Sequence, residues 1–197
     1  IKDDLIAMKI LLENLERPTM VVMIDRSESG PAKNAGAIAE TEITKLLTDK
    51  GFEIVDQIQV EKANAQEKAR QALSGNDAAA KQLGLRFNSQ YVVLGRAEVN
   101  DAGEADPGSG LRSMQATLQL KVIQTQTGAV LGSVTENAVN AHTSTLTGGT
   151  LAVQKAARKA VETYLVTAIT RSFQGYLSGG NTIEVSISGL QAFRDYQ

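Results

Sequence analysis

Five consecutive apolar residues, Met20, Val21, Val22, Met23 and Ile24, constrain the fold of this chain more than any other feature. They stand in the stretch RPTMVVMIDRSESGPAKNAG, residues 17–36. The run is rich in β-branched residues and has no polar alternation, which predicts a strand covered on both faces. Such a strand needs packed layers on both sides of its sheet. After it come a polar loop, residues 25–31, and a helix start.

The order of elements downstream fits that demand. Ala39, Ile43, Leu46 and Leu47 lie on one stripe of a helix that begins near Ala35 and stops near Lys50 and Gly51. Residues 52–60 (FEIVDQIQV) read as the second strand. Residues 61–73, rich in Ala, Glu, Lys and Gln, read as a helix broken by Ser74, Gly75 and Asn76. A short helix over 77–83 ending at Gly84 leads to a third apolar strand at 90–99. Strands alternating with helices in this way predict crossover helices packed on a sheet.

Beyond the third strand the pattern changes. Residues 100–110 (NDAGEADPGSG) have the composition of a flexible loop. Met114, Ala116, Leu118, Leu120 and Val122 then alternate with Gln115, Thr117, Gln119 and Lys121, which predicts a half-buried strand with one polar face. A turn at 125–128 and a less regular strand at 129–141 complete a long antiparallel hairpin. The longest helical signal covers 151–173, with Thr147 or Thr150 as its cap and Arg158 and Lys159 on its wet face. The expected fold is therefore α/β, bordering on α+β: a mixed sheet of about five strands with a long antiparallel hairpin, packed by helices.

At either end the chain carries an amphipathic helix over residues 1–16 and a short alternating strand over 182–188. We expect three segments: 1–16 as a helix of a preceding module, 17–176 as one α/β domain, and 177–197 as a final strand or the start of a further module. Because the sequence starts at Ile1 and not Met, it reads as a processed or truncated chain whose signal peptide or lipid anchor would lie upstream.

Composition excludes several chemistries. With no cysteine, there can be no disulfide, thiolate metal site or cysteine nucleophile. His142 is the single histidine, so a histidine-based zinc site is excluded; it lies at a strand end, where capping is its simplest role. Scattered Lys and Arg, a net charge of -2 and no Trp argue against a nucleic-acid surface. No apolar run reaches the ~20 residues of a membrane-spanning helix. The 25–31 loop, with Asp25, Ser27 and Glu28, occupies the position where open α/β sheets bind ligands. It lacks both glycine-rich phosphate-binding patterns, and its carboxylates would repel a phosphate. Asp101, Glu104 and Asp106 lack the spacing of a calcium loop and read as solvated. We expect no catalytic residue, cofactor or metal. The candidate contact residues are Asp25, Ser27 and Glu28 on the loop and Gln115, Thr117, Gln119 and Lys121 on the hairpin's polar face.

Four stretches carry a family resemblance: MVVMID; LLTDKGFEIVDQ, where a helix passes through Gly51 into a strand; Ala80 to Gly84 followed by QYVVLGRAEV; and the turn TQTGAV. In these the chain resembles the extracytoplasmic domains of the curli-secretion lipoprotein CsgG, the penicillin-binding-protein activator LpoB and the amino-terminal domain of TolB. ERPTMVVMID is also similar to lipoproteins related to flagellar assembly protein T. The resemblance implies a non-enzymatic periplasmic protein, often anchored to the outer membrane, that binds envelope proteins or forms homo-oligomeric rings. Neither hairpin strand has an apolar outward face, which argues against a membrane pore. The leading expectation is thus an envelope assembly or adaptor domain. The alternative is a small-ligand or nucleotide-binding domain using the 25–31 loop.

Overall fold

A computed structural model describes residues 17–25, 34–55, 71, 74 and 76–179. Ser27, Glu28, most of the helix expected over 61–73, and both terminal elements lie outside the described residues. Among the described residues the sheet has five strands in the order β2-β1-β3-β4-β5. β1 (Thr19–Asp25) runs parallel to β2 (Glu53–Ile54) and to β3 (Tyr91–Glu104). β4 (Arg112–Gln124) and β5 (Val130–His142) continue the sheet as an antiparallel meander. The expected α/β architecture, mixed sheet and long hairpin are all present.

β1 is apolar from Met20 to Ile24 because both of its faces are covered there. Met20, Val22 and Ile24 join the larger core with Tyr91, Val93, Leu118, Leu120 and Val122, beneath α1 (Ala35–Asp49) and the long C-terminal helix. Val21 and Met23 join the smaller one with Val92, Leu94 and Ile123, beneath α2 (Asp77–Arg86). α1 ends where its sequence stops: Gly51 takes a left-handed φ of 91°, and the Phe52 amide donates to the Leu47 carbonyl at 3.1 Å.

Several boundaries differ from the sequence reading, each for a local reason. Residues 100–104 are strand, not loop. β3 continues to Glu104, and Arg112 holds Asp101 through hydrogen bonds of 3.0 and 2.7 Å across the β3–β4 pair. The second strand pairs only at Glu53 and Ile54, with 56–60 outside the described residues. α2 passes through Gly84 to Arg86, and Gly84 is required by packing: a Cβ there would lie 2.1 Å from the buried Thr125 Oγ1.

The long helix starts six residues before the expected position. α3 (Thr145–Ala160) is capped by Ser144, whose Oγ accepts the Thr147 amide at 3.3 Å, so neither Thr147 nor Thr150 is the cap. His142 Nδ1 accepts the Ser144 amide at 2.9 Å and fixes the entrance to this helix. Gly148 and Gly149, which look like helix breakers, are buried in its first turns. A Cβ on Gly148 would stand 2.8 Å from Met114 Cγ, so the missing side chain lets the helix approach β4 closely. Arg158 and Lys159 do not simply face water: they pair with Glu42 of α1 at 3.3 Å and with Glu136 of β5 at 2.5 Å.

A π turn (Val161–Leu165) joins α3 to α4 (Val166–Gly179), with the Val166 amide donating to the Val161 carbonyl. It serves a stripe of buried residues spaced by four: Ala157, Val161, Leu165, Ile169 and Phe173. On a regular helix of ~3.6 residues per turn the ends of that row would diverge by about 160°. The wider turn restores them to one face.

Candidate functional site

The smaller apolar layer covers only part of its face of the sheet. Past Leu94 and Ile123 the same face turns polar and carries rows of cross-strand neighbours fixed by the register. Asp25, Arg96, Gln119 and Thr135 form one row across β1, β3, β4 and β5. Glu98, Thr117 and Asn137 form the next, and Asn100, Gln115 and Val139 the third. Gln115, Gln119, Thr135, Asn137 and Val139 are exposed, while Thr117 and Lys121 are half-buried. Strand periodicity alone explains this: every second residue of β4 points away from α3 and α4, and those positions hold Gln, Thr, Gln and Lys.

The two candidate groups partly converge. Asp25, Arg96, Gln119, Lys121 and Thr135 line one open depression of about 470 Å³. Gln115 and Thr117 lie farther along the sheet and do not line it. Asp25 thus meets the hairpin face because β1 pairs directly with β3, an adjacency that strand periodicity does not encode. Ser27 and Glu28 lie outside the described residues.

The face is held by its own polar contacts. Thr117 Oγ1 donates to Asn137 Oδ1 at 2.8 Å, and Arg96 pairs with Glu98 at 3.2 Å along β3. The Lys121 ammonium is taken up by Asp77 in the first turn of α2. Its two cations, Arg96 and Lys121, therefore each have a carboxylate partner, which makes the depression a poor seat for a phosphate. Asp101 lies on the opposite face; its pKa is held below the ordinary carboxylate value by the hydrogen bond from Arg112, and then by the Gly103 amide. No group of three or more acidic or histidine side chains among the described residues is placed to hold a metal ion.

Glu40 was not singled out in the sequence, and the structure gives it a definite place. Its side chain is 5% exposed, and Oε2 accepts the Ile24 amide at 3.0 Å near the end of β1. The signal was present, since Gly36, Glu40, Ile43 and Leu47 make one i, i+4, i+7, i+11 stripe, which faces the sheet. A carboxylate on that stripe had to find a donor.

Comparison with known proteins identifies the fold. Protein CT253 of Chlamydia trachomatis matches with 15% identity and a TM-score of 0.53, over 83% of this chain and 99% of that one. Lipoprotein GNA1162 of Neisseria meningitidis matches with 12% identity and a TM-score of 0.49, over 80% and 99%. The LpoB C-terminal domain of Salmonella enterica matches with 18% identity and a TM-score of 0.38, over 66% and 93%. No curated protein matches the sequence. The profile of one family matches residues 18–169, most of the chain, and the chain accordingly belongs to the family of TP0693-like lipoprotein C-terminal domains.

Proposed function

We propose that this chain is a non-enzymatic envelope assembly or adaptor domain that contacts a protein partner through the polar face of β3, β4 and β5. One observation carries the reading. Three adjacent strands present a largely polar surface, centred on Gln115, Thr117, Gln119 and Asn137, with Thr117 hydrogen-bonded to Asn137 across the β4–β5 pair. Such a surface resists lipid and suits the polar contacts of a non-obligate protein interface. Its depression has its cations paired, which disfavours an anionic ligand such as a nucleotide at that place. Among the described residues no helix is long and apolar enough to cross a membrane.

Membership in a lipoprotein domain family supports a periplasmic location with a lipid tether, and we extend the likeness to the CsgG, TolB amino-terminal and flagellar-assembly-related domains. We take residues 17–176 as the functional unit, with 1–16 and 177–197 as its connections. The test is affinity capture from an envelope extract with the wild-type chain and with Thr117→Arg and Gln119→Glu. An envelope protein retained by the wild type and lost by both folded variants is the expected result. Capture of no protein, or equal capture by all three chains, overturns the proposal.

A further inference from the structure

We propose that β5 is a self-association edge, on which a second copy of this chain adds its own β5 in antiparallel register centred on Asn137. This occupant differs from the partner of the polar face. Either interaction can fail while the other stands.

The argument begins with the direction of the backbone groups. The Thr125 amide of the β4 end donates to Gln90 on the β3 side, while the Gln124 amide donates to Ala129 on the β5 side, both at 2.9 Å. Even-numbered residues of β4 therefore address β5. Their register partners Val134, Glu136, Ala138 and Asn140 point back at β4. Ser133, Thr135, Asn137, Val139 and Ala141 are left with their amides and carbonyls directed off the sheet, and β5 is the terminal strand among the described residues.

Soluble proteins blunt such an edge with Lys, Pro or short strands. β5 is 13 residues long and contains neither Lys nor Pro. A bulge at Gly132 disturbs only its first residues. The single charge, Glu136, turns toward the helix layer, where Lys159 neutralises it. Val139, 53% exposed, lies on the outward row.

The sequence of the edge selects both partner and register. The outward residues run from 133 to 141, so pairing them all with a copy of themselves places Asn137 opposite its counterpart, Thr135 opposite Val139 and Ser133 opposite Ala141. An isologous contact of this kind satisfies itself by two-fold symmetry. Glu136 then faces Ala138 of the other copy. A shift of the centre to residue 136 would instead oppose two glutamates, which is unfavourable. Lys155, held by Asn140 at 2.6 Å, is the other charge beside the edge. In the centred register Asn140 faces Val134 of the other copy, so the two Lys155 groups stand roughly 20 Å apart, beyond strong repulsion.

The absence of cysteine makes the register directly measurable. In Asn137→Cys the two new thiols occupy a hydrogen-bonded pair, with Cα atoms about 5.5 Å apart and within disulfide range. In Val139→Cys they stand four residues out of register, roughly 13 Å apart. We expect sedimentation to show a concentration-dependent dimer, Asn137→Cys to cross-link readily, and Val139→Cys to do so only when mixed with Thr135→Cys. Asn137→Lys should stay folded by circular dichroism and weaken the dimer by about tenfold or more, because it sets like charges opposite each other. A chain that is monomeric at millimolar concentration, or equal cross-linking at 137 and 139, overturns the proposal. So does an undiminished dimer in Asn137→Lys.

Discussion

Replacing Gly95 with alanine tests the close packing of β3 against β4 and β1. A Cβ at this position would lie 2.4 Å from Leu120 Cδ2, 2.7 Å from Ile24 Cδ1 and 2.8 Å from the Gln119 carbonyl oxygen. The two methyl groups end flexible side chains and can turn aside, but the carbonyl belongs to the β4 backbone directly beside Leu120, the residue paired with Gly95. Overpacking of a core costs about 1–3 kcal/mol, and an immovable backbone contact places this case near the upper value. Alanine also restricts the unfolded chain, which returns about 0.4–1 kcal/mol. The net expectation is a loss of about 2 kcal/mol, or a fall in Tm of roughly 4–8 °C for a chain of this size. Gly175 provides the control: it lies within α4 with nothing inside 4 Å of its virtual Cβ. There the same substitution should stabilise by about 0.5–1 kcal/mol. Urea unfolding monitored by circular dichroism reads both. A Gly95→Ala chain as stable as wild type, or a Gly175→Ala chain that loses stability, would refute the reasoning.

Three further outcomes are expected. Glu40→Ala strands the Ile24 amide and should cost about 1–3 kcal/mol, whereas Glu40→Gln keeps an acceptor and should cost less; denaturant titration that reversed this order would show that the hydrogen bond is not what the residue supplies. Lys159→Met leaves the mostly buried Glu136 without its cation and should cost about 1 kcal/mol, the difference from wild type shrinking at high salt in thermal melts. Asp101 has a folded pKa below its ordinary value of 3.8, so its stabilisation is complete above that value and fades as pH falls through the folded one. The stability gap between wild type and Asp101→Asn should therefore be constant above roughly pH 5 and close in acid, and a gap that widened in acid would contradict the sign.

The strand code was the legible part of this sequence. A run without alternation at 20–24 identified the doubly covered β1, and strict alternation at 114–122 separated the buried from the wet face of β4, because side-chain period is intrinsic to a strand. What stayed hidden depends on close approach or on adjacency. Gly84 and Gly148 look like breakers in one dimension, and only the nearness of Thr125 and Met114 explains them inside helices. Residues 100–104 have loop composition, but pairing with β4 and the Asp101–Arg112 bonds keep them extended. The meeting of Asp25 with Gln119 and Lys121 needs the strand order, which no local pattern records. The open edge of β5 likewise appears only when it is known that no described strand follows it in the sheet.

The π turn at Val161–Leu165 has a consequence for how related sequences align. Geometrically it is one residue more than an unbroken α-helix needs, so removal of any single residue from that interval would leave a regular helix. Everything after the deletion would keep its facing relative to α3, so Ile169 and Phe173 would still meet the core, and one four-residue step of the apolar stripe would shorten to three. Relatives should therefore fall into two lengths across this helix, and the apolar stripe across the gap will report which one a given sequence has. Similarity alone cannot locate the gap within the five residues. The spacing of the stripe shows that the gap falls there.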